Sequence, residues 1–185
     1  MKFRYRTLLP LCLLLCTSAV QAGLYVHGSI GYGSYSASGD YMGSKSTDRL
    51  RSADLPATIG LGYRIRDWLA LDTAHLEMDA IPSPASLWRP GVDGSGQRLG
   101  IQADAPLTEH SRVFLRGGPF RWDVSVKPSV QHGSDDFRGR DHFIGAGVRF
   151  TGAHQVAGSI GWERYAIEDI ELDYIQFGIE FYLQR

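Results

Sequence analysis

Ile175-Gln176-Phe177-Gly178-Ile179-Glu180-Phe181-Tyr182-Leu183 alternates from end to end. Successive side chains of a strand point to opposite faces. Ile175, Phe177, Ile179, Phe181 and Leu183 therefore share one face, and Gln176, Gly178 and Glu180 the other. A helix would scatter both sets around its axis, so the stretch, beginning at Leu172, reads as a strand with one apolar face. The same period recurs in seven further segments of about ten residues, at 24–35, 54–64, 68–77, 97–107, 112–122, 141–150 and 156–165. In these, Val26, Gly28 and Ile30 oppose His27, Ser29 and Gly31. Likewise Leu99, Ile101 and Ala103 oppose Gly100, Gln102 and Asp104, and Ile144, Ala146 and Val148 oppose Gly145, Gly147 and Arg149.

The connections alternate in length. Tight turns are expected at 66–67, 108–111 and 152–155, and long Gly/Ser/Pro-rich loops at 36–53, 78–96 and 123–140, with a short fourth at 166–170. That is the connectivity of an up-and-down meander. Alternation alone cannot separate a soluble barrel from a membrane barrel, which exposes the apolar face instead. Three features favour the membrane. The strands have the roughly 9–11 residues that cross a bilayer at a tilt. Aromatics gather at their ends, as girdles would: Tyr63, Trp68, Phe150, Phe181 and Tyr182 at one, Tyr32, Tyr35, Trp162, Tyr165 and Tyr174 at the other. Glycines crowd the polar face, as a narrow lumen requires. The expected class is all-β, an eight-stranded antiparallel up-and-down transmembrane β-barrel.

Residues 1–22 stand apart. Lys2, Arg4 and Arg6 precede a short apolar run, and Val20-Gln21-Ala22 places small residues at a cleavage site, the pattern of a secretory signal peptide. The expected division is a cleaved signal at 1–22 and a barrel domain at 23–185. Both cysteines, Cys12 and Cys16, would leave with the signal, which excludes disulfides and thiol chemistry from the remainder. Of 185 residues 21% are charged and the net charge is −1, so no basic field argues for nucleic acid. Loss of the three N-terminal cations would leave 16 basic against 20 acidic side chains.

Gln176 to Leu183 also resembles the C-terminal β-signal of bacterial outer-membrane barrels, with polar, Gly, aromatic and hydrophobic residues at its characteristic spacing, although Gln184-Arg185 follow it here. Gly60-Leu61-Gly62-Tyr63, then Trp68-Leu69-Ala70-Leu71-Asp72, is similar to a hairpin of the small eight-stranded barrels related to the OmpA transmembrane domain and the Opa and Ail surface proteins. The resemblance covers essentially all of 23–185. It implies export to the outer membrane of a Gram-negative-type bacterium, a monomer and a lumen plugged by ion pairs. The implied surroundings are outer-membrane lipid and lipopolysaccharide, and the role is structural or surface-interacting, with an extracellular protein or host surface as partner.

On the polar face Asp72, Asp104, Arg116, Arg149 and Glu180, with Arg64 near the rim, form a layer of three acids and three bases in the half nearer the tight turns. Unpaired charges in a narrow lumen are costly, so these should pair. A small ion-conducting pore through the same charges is the alternative. A lipopolysaccharide-modifying barrel enzyme is another, since a His-x-Ser pair puts both side chains on one strand face, and two occur: His27-Gly28-Ser29 on the first strand and His132-Gly133-Ser134, beside Asp135 and Asp136, in the third long loop. Yet Gly161-Trp162-Glu163-Arg164-Tyr165, where the resembling deacylases carry their pair, has no His. The reading is therefore non-enzymatic. The six His residues are scattered, so neither a metal nor another cofactor is expected. Gly117-Gly118-Pro119 should mark a bulge or kink, because Pro cannot donate to the ladder. In the outward loops Tyr41 and Trp88 could anchor a partner. Arg49, Arg51, Arg138 and Arg140 could meet lipopolysaccharide phosphates.

Overall fold

The computed structural model describes residues 23–37, 53–78, 80, 91–127, 135–152, 155–168 and 170–183. These hold eight long strands and no helix. The strands are β1 (Gly23–Ala37), β2 (Ala57–Arg66), β3 (Leu69–Glu77), β4 (Gly91–Pro106), β5 (Ser111–Lys127), β6 (Asp135–Thr151), β7 (Val156–Ile167) and β8 (Ile170–Tyr182). Each pairs antiparallel with the next, and β8 returns to β1 from Tyr25↔Tyr182 to Ala37↔Ile170. Closure gives each of these eight strands a partner on both sides, which is what allows a sheet to sit in hydrocarbon. Ala53–Asp54 continues β2 in the same register against Gly33 and Ser34. The interruption falls at Leu55-Pro56, where the Pro56 carbonyl accepts the Gly31 N–H. Ile167↔Ile170 pairing leaves a two-residue turn, and Glu168 at its start takes the positive φ (55°) that tight hairpins favour.

Parity sorts the wall as the alternation requires. Tyr32, Ile59, Leu61, Ile101, Leu115, Ile144, Ile175 and Phe177 face outward and are exposed. In water so continuous an apolar surface would drive aggregation; around a closed barrel it is the lipid-facing band. Tyr63, Trp68, Phe150 and Phe181 ring the tight-turn end, and Tyr32 and Trp162 stand outward towards the other. Tyr35, Tyr165 and Tyr174 do not join them. Their parity turns them into the lumen, where they are buried, and Tyr182 also points inward.

Two expectations about strand extent are corrected. β4, β5 and β6 run for 16, 17 and 17 residues, so 91–96, 123–127 and 135–140 are strand and not loop. Arg138 and Arg140 thus stand on a sheet wall. Apolar alternation fades there because backbone pairing can continue beyond the band with polar side chains on the outer face. Nor do Gly117-Gly118-Pro119 form a bulge. The register of β5 against β6 runs unshifted from Ser111↔Phe150 to Val126↔Asp135, and Pro119 lies exposed on the outer face. Against β4 the ladder lapses between Arg98↔Phe120 and Ile101↔Gly117, then resumes in the same register. Gly118 is required at the lapse, since a Cβ there would strike the Leu99 carbonyl oxygen.

Candidate functional site

The lumen is the site, and its contents follow from which residues parity aims inward. Nearest the tight turns, Arg64 of β2 donates to Asp104 of β4 at 2.7 Å, and Arg149 of β6 reaches the other Asp104 oxygen at 3.2 Å. Gln102 donates to the same carboxylate at 3.2 Å. Arg149 also lies 3.7 Å from Glu180 of β8, whose carboxylate accepts the Tyr182 hydroxyl at 2.7 Å. Two bases thus meet two acids.

A second cluster lies deeper, centred on Glu163 of β7. One Glu163 oxygen accepts Arg98 at 2.6 Å and also meets the Arg116 guanidinium. The other accepts the Tyr165 hydroxyl at 2.8 Å and the Tyr174 hydroxyl at 2.7 Å. Arg98 bridges onward to Asp72 of β3 at 3.1 Å, with Arg116 at 3.9 Å and His27 at 3.7 Å from the same oxygen. Glu163 and the Arg98 side chain are wholly buried. Burying carboxylate and guanidinium together is tolerable when they answer one another, and here two arginines and two tyrosines answer both Glu163 oxygens, while Arg98 Nε, Arg116 Nε and Asp72 Oδ1 are left without a hydrogen-bond partner.

The expected residues therefore separate into two groups. Arg64, Asp104, Arg149 and Glu180 come together, whereas Asp72 and Arg116 belong to the inner cluster, so a single layer of three and three is not what forms. Arg98 and Glu163 were missed. Arg98 lies beside a Gly/Ser/Asp-rich stretch that reads as loop, but its parity with Gly100, Gln102 and Asp104 was signal enough. Glu163 has the parity of Ser159 and Gly161, the polar side of β7, which was signal enough as well.

Beyond the inner cluster the lumen changes character. Phe120, Trp122, Val124, Phe143, Leu76, Met78, Ile167, Ile170 and Leu172 pack with Tyr35, Tyr165 and Tyr174 into an apolar core inside the barrel. The Phe143 and Tyr174 rings stack on either side of Tyr165 at 5.4 and 5.9 Å, and Phe120 meets it edge-on at 4.6 Å. The Arg98 guanidinium caps the Phe143 ring at 4.8 Å, joining the two zones. This plug has no counterpart in the expectation of a lumen filled by Gly, hydroxyl and charge.

His27 and Ser29 both face inward, but Ser29 hydrogen-bonds Thr58 at 2.6 Å while the His27 ring turns to Asp72. Arg138 pairs with Asp123 at 2.8 Å on the outer wall, and Arg140 is exposed. Tyr41, Arg49, Arg51 and Trp88 lie outside the described residues, as do 1–22 and His132 to Ser134.

A closed antiparallel barrel with an apolar exterior and an ionic interior defines a small integral membrane β-barrel of the outer-membrane type. Solved structures agree. Neisserial surface protein A is similar at 15% identity, covering 86% of this chain and 96% of its own with a TM-score of 0.61. The N-terminal barrel domain of Pseudomonas aeruginosa OprF, at 14% identity, covers 88% of this chain and 100% of its own with a TM-score of 0.60. The attachment invasion locus protein Ail of Yersinia pestis, at 13%, covers 87% and 99% with a TM-score of 0.56, and has also been solved with the heparin analogue sucrose octasulfate. No protein-family model and no curated protein matches the sequence. At these identities the likeness is one of fold: this chain has the eight-stranded outer-membrane barrel fold.

Proposed function

We propose that this chain is a sealed, non-enzymatic barrel of the outer membrane that carries its long loops at the cell surface, in a structural or surface-interaction role. The observation that carries it is the lumen: Glu163 and Arg98 are fully buried at mid-barrel, with an aromatic and aliphatic plug directly above. Ion conduction needs a continuous path of groups that can stand in for an ion's hydration shell, and here each carboxylate is held by arginines and the path beyond is filled by apolar side chains. The barrel acts as a monomeric, rigid frame in outer-membrane lipid and lipopolysaccharide. Interaction with an extracellular protein or host surface falls to 38–52, 81–90 and 128–134, which carry Tyr41, Arg49, Arg51 and Trp88. The attachment role in the name of Ail supports that assignment.

The test is conductance of the refolded full chain in planar bilayers. Silence at voltages that open known porins is the expected result; discrete, ohmic steps would replace the sealed frame with a pore. Acyl release from lipopolysaccharide by the same preparation would refute the non-enzymatic half.

A further inference from the structure

One place on the outer wall departs from the rest. On three neighbouring strands the apolar run stops at Leu99 of β4, Pro119 of β5 and Ile144 of β6. The next outward residues towards the long-loop end are Gln97 on β4, Arg121 on β5, and His142 then Arg140 on β6. Arg121 and Arg140 are direct cross-strand neighbours, and both are exposed. Like charges placed opposite each other destabilise a sheet. Nearby carboxylates are already engaged: Asp123 by Arg138 at 2.8 Å, Asp141 by His142 at 2.7 Å and Glu77 by His75 at 3.3 Å. Among the described residues none pairs with Arg121 or Arg140. Between and beneath the two arginines lies a notch of about 340 Å³, its floor made by Thr73, Gln97, Leu99 and Pro119, over the lapse in the β4–β5 ladder.

We propose that Arg121 and Arg140 together hold the phosphate of a lipid head group, whose first acyl carbons lie against Leu99 and Pro119. This deepens the lipid contact of the reading above and rests on the membrane setting of that reading, not on its sealed lumen. Two guanidinium forks lining one notch match the oxygens of a phosphate, which would cancel the repulsion between them. Their height decides the source. They stand where the lipid-facing band gives out, the level of head groups, and the notch runs downward over apolar side chains that a free anion would not use.

The test takes the full chain folded in uncharged maltoside micelles and counts bound lipid by native mass spectrometry. The probes are bisphosphorylated lipid A, the same lipid dephosphorylated, and inorganic phosphate. Wild type should retain the phosphorylated lipid, and Arg121→Gln with Arg140→Gln should weaken it about tenfold or more, the loss of at least one charge-assisted hydrogen bond. Arg138→Gln should change nothing, since Arg138 is spent on Asp123. Equal binding by the double variant and wild type overturns the site, as does equal binding of dephosphorylated lipid. Competition by inorganic phosphate at lipid-like concentrations overturns the lipid source. Heat-modifiable gel mobility verifies folding; should the double variant fail it, the single variants give a smaller loss, and singles equal to wild type refute the proposal. Conductance steps would remove the sealed lumen while leaving this titration unaffected.

Discussion

Glu163→Gln keeps the volume at the centre of the lumen and removes one charge. Glu163 and Asp72 together balance Arg98 and Arg116; with Gln, Asp72 alone faces both guanidinium groups in a site that water does not reach. The carboxamide also has a single acceptor oxygen where the carboxylate answers two arginines on one side and two tyrosines on the other. Breaking a buried pair by removing one partner costs about 3–5 kcal/mol. With a urea dependence near 2 kcal/mol per molar, the unfolding midpoint should fall by roughly 2 M. Tryptophan fluorescence of the barrel refolded in lipid vesicles reads it. Adding Arg116→Gln restores one acid against one base, so the double variant should recover part of the loss, with a coupling of about 0.5–3 kcal/mol. A Glu163→Gln midpoint within about 0.3 M of wild type would refute the reasoning, given the slope used above. So would strictly additive losses in the pair.

Three further outcomes follow from the wall and the plug. Gly118→Val should drive β5 off the Leu99 carbonyl at the β4–β5 lapse and abolish the heat-modifiable form, whereas Gly158→Ala, whose nearest obstacle is the Gly178 carbonyl at 4.0 Å, should fold normally. Phe143→Ala should destabilise by about 3–5 kcal/mol through the cavity left against Tyr165, yet planar bilayers should stay silent because both ion-pair clusters remain. Cysteines at Ser44 or Ser134 should label from outside intact cells and one at Glu109, in the exposed 107–110 turn, should not; reversed labelling would invert the assigned ends.

The exterior was legible because lipid-facing residues alternate with glycine and charge, and Ile175 to Leu183 state that pattern outright. The same rule fails where the contrast inverts. Around Ile170, Leu172 and Tyr174 the apolar residues point inward and Glu171 and Asp173 take the outer face, the reverse of Ile175 to Leu183, so nothing in an apolar-out rule marks them as a plug. Tyr35, Tyr165 and Tyr174 read as girdle residues by their place near the strand ends, but parity points them inward. Arg98 was lost to the glycines and serine before it. The division of charges into two clusters depends on how far apart Glu163 and Glu180 sit along the lumen, and on which arginine of a neighbouring strand reaches each. That is a property of register, which no single strand encodes.

The seam between β1 and β8 also bears on how such a chain can form. Its pairs join Tyr25 to Tyr182 and Ala37 to Ile170, the first strand to the last. Contacts of that sequence separation carry a large loop-closure cost and slow folding. Until β8 arrives, β1 and β7 each present a row of bare N–H and C=O groups that hydrocarbon cannot satisfy. Strand-by-strand insertion into lipid is therefore closed to this protein. The barrel has to curl and enter as one cooperative unit, or with its open edges shielded by another protein, and β8 is the element whose docking commits the chain.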